Sequence, residues 1–212
     1  MRRVLAAAIL IAILAGSVSA EEAIGSAFGV QWTGKTCGHR LGDFQAGIAM
    51  TDRTGVFGMI GYGLSEHSEG RLKLAFANQE GESVKLVFGA DYKYQMMDVG
   101  AGLNDPFDLA LAAYMEVGDY GPFSVWQLGG RAIGSHPFDV GGSSTLSPYG
   151  AFSVRLENIN WDGRFNNDSD TELQFGIALG TQWRPNDSFS MYGELHFDGN
   201  EGLIVGLSLG VF

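Results

Sequence analysis

Five segments of this chain keep charge off one side of an extended ribbon. Taken two apart, Leu72, Leu74 and Phe76; Val84, Leu86, Phe88, Ala90, Tyr92, Tyr94 and Met96; Phe107, Leu109, Leu111, Ala113, Met115 and Val117; Leu173, Phe175, Ile177, Leu179, Thr181 and Trp183; and Phe189, Met191, Gly193, Leu195 and Phe197 include no Asp, Glu, Lys or Arg. The positions between them carry Arg71, Lys73, Lys85, Asp91, Lys93, Asp108, Glu116, Glu172, Glu194 and Asp198. Side chains alternate sides along a strand, so these are two faces of the same ribbons. A charge-free face suits lipid, where one charge at mid-bilayer costs about 2–4 kcal/mol. Ten residues rising ~3.3 Å each and tilted ~45° cover about 23 Å, close to the ~25 Å apolar band of a membrane barrel. The last segment, 202–212, is another run of this length, and it stops on the aromatic Phe212.

A water-soluble β-sandwich also alternates, and two features separate it from a membrane barrel. The polar face holds Gly89, Ala110, Ala112, Gly176, Ala178 and Gly180, small residues that suit a narrow lumen better than a solvated exterior. Trp32, Tyr92, Tyr94, Phe107, Trp183, Phe189 and Phe212 gather at strand ends, as in an interfacial girdle. Glycine supplies 32 of 212 residues, about twice the usual ~7%, alongside 14 Phe, 7 Tyr and 4 Trp. That mixture fits tightly curved strands and argues against a disordered chain.

The pattern predicts strands at about 22–32, 53–63, 70–78, 83–96, 107–117, 122–133, 148–157, 171–183, 188–198 and 202–212. Residues 42–51 either extend the second strand or form one of their own. The predicted fold is all-β: a closed antiparallel up-and-down transmembrane β-barrel of about ten strands, or eight or twelve if the segments regroup. With both termini in the periplasm, 64–69, 97–106, 134–147 and 184–187 are periplasmic turns. Residues 33–52, 78–82, 118–121, 158–170 and 199–201 are then outward loops.

The N-terminus reads as an export signal: basic Arg2 and Arg3, an apolar core from Val4 to Ala15, and small residues for cleavage after Ala20. The core is shorter than the ~17–25 residues of a spanning helix. Residues 1–20 are expected to be removed, leaving 21–212 as a single barrel domain. The formal net charge is −11, and losing the two arginines makes it more negative, which argues against a nucleic-acid partner. Cys37 is the only cysteine, so no internal disulfide can form.

The chain resembles the small outer-membrane β-barrel proteins of Gram-negative bacteria over its whole length. The resemblance rests on the terminal strand and on turn phrases such as Gly61-Tyr62-Gly63-Leu64-Ser65-Glu66 and Gly102-Leu103-Asn104-Asp105-Pro106-Phe107-Asp108-Leu109. It implies localisation in the bacterial outer membrane, with lipids and lipopolysaccharide as surroundings. It also implies that the barrel-assembly machinery recognises a terminal signal at Phe212. One departure concerns phase. Leu203, Val205, Leu207, Leu209 and Val211 lie one residue out of step with Phe212, so either a bulge realigns Phe212 or Val211 is the last membrane residue.

The candidate site is the lumen, lined by Arg71, Lys73, Lys85, Asp91, Lys93, Asp108, Glu116, Glu172, Glu194 and His196. Away from water these charges are expected to pair across strands, with Arg131, Arg155 and Glu157 extending the network. A paired network plugs a small barrel, whereas charges sorted by wall make a narrow selective pore. Ten strands fall between closed eight-stranded barrels and open sixteen-stranded porins. Glu194 and His196 could form an acid-base dyad in a hydrolase, but no motif sets a nucleophile beside them, and a lumen hydrogen-bond network is the ordinary reading. Asp162, Asn166, Asn167, Asp168 and Asp170 do not match the spacing of a calcium loop, and His39, His67 and His136 lack metal-ligand spacing. No metal and no cofactor is expected. The function expected is non-enzymatic: porin-like passage of small solutes through a narrow channel, or a structural barrel, with a surface-interaction (adhesion-type) barrel as the alternative.

Overall fold

The computed structural model describes residues 25–38, 41–79, 84–101, 105–119, 123–162 and 167–210. The expected signal segment 1–20 and the terminal Phe212 lie outside them.

Ten strands close a barrel. They are β1 (Gly42–Thr51), β2 (Arg53–Gly63), β3 (Ser68–Gln79), β4 (Lys85–Met97), β5 (Asp108–Asp119), β6 (Phe123–Ser135), β8 (Ser144–Asp162), β9 (Asn167–Asn186), β10 (Phe189–Phe197) and β11 (Gly202–Gly210). The short β7 (Phe138–Gly141) only folds back on β8. Each barrel strand pairs antiparallel with the next, β6 passes directly to β8, and β1 meets β11 from Asp43↔Gly210 to Thr51↔Gly202. Closure removes the free edges that an open sheet would leave.

The two faces divide as the alternation requires. Outward side chains include Leu72 at 70% exposure, Ile60 at 64% and Leu128 at 54%, while inward neighbours such as Arg71, Lys73 and Lys93 are buried. An exposed apolar belt of this extent is a lipid-facing surface, not a water-facing one. Tyr62, Tyr92, Tyr94, Phe107 and Trp183 are exposed near the end that carries the 64–67 and 187–188 turns, the turn end. Leu203, Leu207 and Leu209 are exposed on β11 while Ile204 and Ser208 are buried, so the odd-numbered positions of the terminal strand face lipid.

Two expectations are corrected together. Residues 22–32 are not a barrel strand among the described positions, and 33–52 is not an outward loop, since Thr36 lies at the turn end and 42–51, as in one of the two readings above, forms a strand of its own. It is β1, the strand that closes the ring. The reason is local conformation. Gly25 and Gly29 adopt φ of +71° and Gln31 adopts φ of +43°, left-handed values incompatible with an extended ladder. Residues 25–38 instead form an irregular strap inside the barrel. Gly25 lies at the end bearing the 198–201 connection, where Gln127 Nε2 donates to its carbonyl. Thr36 lies at the opposite end, where its hydroxyl donates to the Glu66 carbonyl. The strap thus runs down the lumen before β1 runs back up.

Candidate functional site: a charged lumen occupied by the chain's own strap

The lumen charges form a paired network built on strand register. Arg71 of β3 lies directly opposite Asp91 of β4 and pairs with it. Lys73, one pleat along, faces Gly89. A Cβ there would sit 2.6 Å from Lys73 Cε and 3.3 Å from Glu116 Cγ. The missing side chain lets the ammonium reach Asp91 Oδ1 at 2.8 Å and Glu116 Oε1 at 2.9 Å. Glu116 also faces Arg131 at 3.8 Å. Lys93 meets Glu69 at 3.2 Å, and Arg155 meets Glu157 at 3.1 Å and Asp198 at 3.6 Å. Such pairing is what a low-dielectric interior demands, since an uncompensated buried charge is costly.

The strap completes the network through its main chain. Glu194 accepts the Val30 and Gln31 N–H groups at 2.8 and 2.7 Å. Arg71 donates to the carbonyls of the same two residues at 3.0 and 3.4 Å. Asp198 accepts the Ser26 N–H and Asn200 donates to the Ser26 carbonyl. Arg131 donates to the Gly29 carbonyl, and Lys93 to those of Thr33 and Lys35. Ser135, Gln95 and Glu69 accept the N–H groups of Gly34, Thr36 and Cys37. Charged, amide and hydroxyl side chains of the wall therefore hold main-chain groups from Ser26 to Cys37, and hydrogen bonds to charged groups are the stronger kind.

The strap's side chains seat among the same cations. The Trp32 ring lies 3.7 Å from the Arg71 guanidinium carbon and 4.3 Å from Lys93 Nζ, and its indole N–H donates to Glu69. Phe28 lies 4.6 Å from Lys73 Nζ. These are cation–π distances. Trp32 is thus a lumen residue and not part of the outer girdle.

Arg71, Lys73, Asp91, Lys93, Asp108, Glu116, Glu194 and His196 are all buried on the inner face. Asp108 accepts the Val99 N–H at 2.8 Å at the turn end. Lys85 is half-buried near the loop end. Glu172 is exposed, because β9 runs on past the end of β10, whose pairing stops at Phe197↔Ile177, and its 171–173 stretch is left uncovered. His196 sits between two carboxylates: Nε2 contacts Glu194, and Nδ1 lies 3.4 Å from Asp198 Oδ1. Tyr149 also donates to Glu194 at 2.7 Å. Among the described residues no group of His, Cys, Asp and Glu has metal-binding geometry. Asn166 of the acidic loop and His39 lie outside the described residues.

Sequence reasoning missed the strap and with it Glu69, Gln95, Gln127, Ser135, Tyr149 and Asn200. One signal was available. Gly25, Gly29 and Gly34 recur every four or five residues in a segment that has no charged residue between Gly25 and Gly34, which suits close passage past other atoms more than strand pairing.

A cavity of about 220 Å³ opens at the turn end, between the strap and β9, β10, β11 and β1. Gln45, Gln182, Ser190 and Ser208 line it, with Cys37 at its mouth. Burial, reinforced by the neighbouring Glu69 carboxylate, pushes the Cys37 thiol up to about 12, so it stays protonated and weakly nucleophilic at neutral pH.

No protein-family model matches the chain, and no curated protein is similar to it. Among solved structures, the chain is similar to the KdgM porin at 10% identity with a TM-score of 0.44, over 80% of this chain and 99% of that one.

Proposed function

We propose that the protein is a non-enzymatic barrel of the bacterial outer membrane, a narrow channel for small solutes that its own strap holds shut. The observation that carries this is the strap's seating: an irregular segment runs the length of a charged lumen and is held by polar contacts. A barrel built only as a structural element could fill its bore with side chains projecting from its walls. Here the walls leave room for a whole segment of main chain, and charge lines the space it occupies. The apolar outer belt supports membrane residence. Both ring nitrogens of His196 face carboxylates, and both oxygens of its partner Glu194 hold the strap. That arrangement favours a holding role over acid-base catalysis.

The test is single-channel recording in planar bilayers. The full chain is expected to conduct rarely. A variant lacking residues 25–36, shown to be folded by its mobility on unboiled gels, is expected to give steady unitary currents. A folded variant that stays as silent as the full chain would overturn the channel reading and leave a structural barrel.

A specific observation also supports the surface-interaction alternative. The 169–173 stretch of β9 presents a strand edge beyond β10, and unpaired edges invite pairing with another chain. Shortening the hairpin between 158 and 172 is expected to abolish any such partner binding while leaving the barrel and its conductance intact. Binding that persists after the shortening removes this edge as the docking surface.

A further inference from the structure

We infer that the lumen is a peptide-binding site, selective for an irregular, non-helical segment that has glycine at its first, fifth and tenth positions and an aromatic ring at its eighth. The inference rests on the proposed reading of the strap as a removable plug, and it adds what the emptied lumen would accept. In the intact chain the ligand is residues 25–36. The same chemistry would take a separate peptide.

The wall's contacts fall mainly on main-chain groups. Glu194 and Arg71 together grip both the N–H and C=O groups of Val30 and Gln31, and Lys93 bridges two carbonyls. Main-chain contacts of this kind do not discriminate between side chains. Selectivity comes from space. A Cβ on Gly29 would lie 2.6 Å from Glu194 Oε1 and 2.8 Å from Ile204 Cδ1, at a φ of +71° that L side chains avoid. A Cβ on Gly34 would lie 2.6 Å from the backbone oxygen of Asp108, and Gly25 is pinched equally against the backbone of Asn200. Between these points Trp32 fills the slot between Arg71 and Lys93. Three close approaches and one aromatic slot at fixed spacing define a recognition pattern, not a general filler.

The experiment supplies the ligand separately. The full chain carrying Gly29→Val, whose own strap is impeded, is mixed with a fluorescent synthetic peptide of residues 25–36, and binding is read by anisotropy. A second preparation keeps the native strap sequence but carries a protease site between residues 38 and 41. It is cut after folding and washed in mild denaturant. Saturable binding of one peptide per barrel in either preparation is expected, weakened at least tenfold by Gly29→Val in the peptide. If neither preparation binds it saturably, or if the Gly29→Val peptide binds equally well, the inference fails. Conductance separates this outcome from the channel reading. An emptied barrel that conducts but ignores the peptide sinks only the peptide site, and one that binds the peptide but never conducts sinks only the channel.

Discussion

Replacing Asp91 with alanine is expected to lower the stability of the folded barrel by about 3–5 kcal/mol, the range for removing one partner of a buried ion pair. Asp91 sits between two cations, Arg71 directly across the ladder and Lys73 at 2.8 Å, and all three side chains are shielded from water. After truncation Lys73 keeps Glu116 at 2.9 Å, but Arg71 keeps only neutral acceptors: Gln45 and the Val30 and Gln31 carbonyls. The cost therefore falls mainly on Arg71. Asp91→Asn, which preserves shape but not charge, should be less severe. Adding Arg71→Met to Asp91→Ala should recover much of the loss, because the stranded cation goes with its partner. The measurement is the urea midpoint of unfolding in lipid vesicles, followed by gel mobility without boiling. A loss below about 1 kcal/mol, the range of solvent-exposed pairs, would mean that water reaches this cluster and the lumen is already open.

The strands were legible because their signal is physical and repeated. Wherever a ribbon separates lipid from an enclosed interior, every second residue is constrained, as from Leu72 to Phe76 or from Phe107 to Val117. β2 to β6 and β8 to β11 accordingly fall within about five residues of the spans expected from the alternation. Both β1 and the strap were harder to read, for opposite reasons. In β1, Phe44, Ile48 and Met50 face outward, but Ala46, Gly47 and Ala49 dilute the contrast. In the strap, Phe28, Val30 and Trp32 alternate like a strand although Ser26 and Gln31 are just as buried. A segment buried on all sides has no face for periodicity to mark. The pairing of charges was also foreseeable, since Arg71 and Asp91 stand on neighbouring strands and burial requires partners. That the same charges hold a fourteen-residue-scale piece of main chain was not foreseeable. Hydrogen bonds to backbone leave no trace in residue type, and only the recurrent glycines hint at them.

Substituting Gly29 with valine should raise the open population of a mostly closed barrel. Three effects act together at this position. The backbone stands at φ +71°, where a β-branched residue is strained by about 1–2 kcal/mol or more. The new Cβ would meet Glu194 Oε1 at 2.6 Å and Ile204 Cδ1 at 2.8 Å, and His196 Nε2 lies only 3.2 Å away. Because Glu194 also holds the next two N–H groups, pushing it aside releases Val30 and Gln31 as well. Every ~1.4 kcal/mol of destabilisation multiplies the open population about tenfold, so a rise of at least tenfold in open probability is expected in planar bilayers. The barrel itself should keep its gel mobility and strand content, since Gly29 belongs to no strand. Gly193→Val provides the contrast. It sits on the lipid side of β10 with open space around its Cβ position, and it should leave conductance unchanged. Equal conductance in the Gly29 variant and the unaltered chain would mean either that the strap yields without leaving or that it does not gate the bore. The two are separated by the accessibility of a cysteine introduced at Val30 to a membrane-impermeant maleimide. Labelling without current would leave the strap mobile but the lumen closed by its walls. Neither labelling nor current would make the strap a permanent part of the barrel's interior.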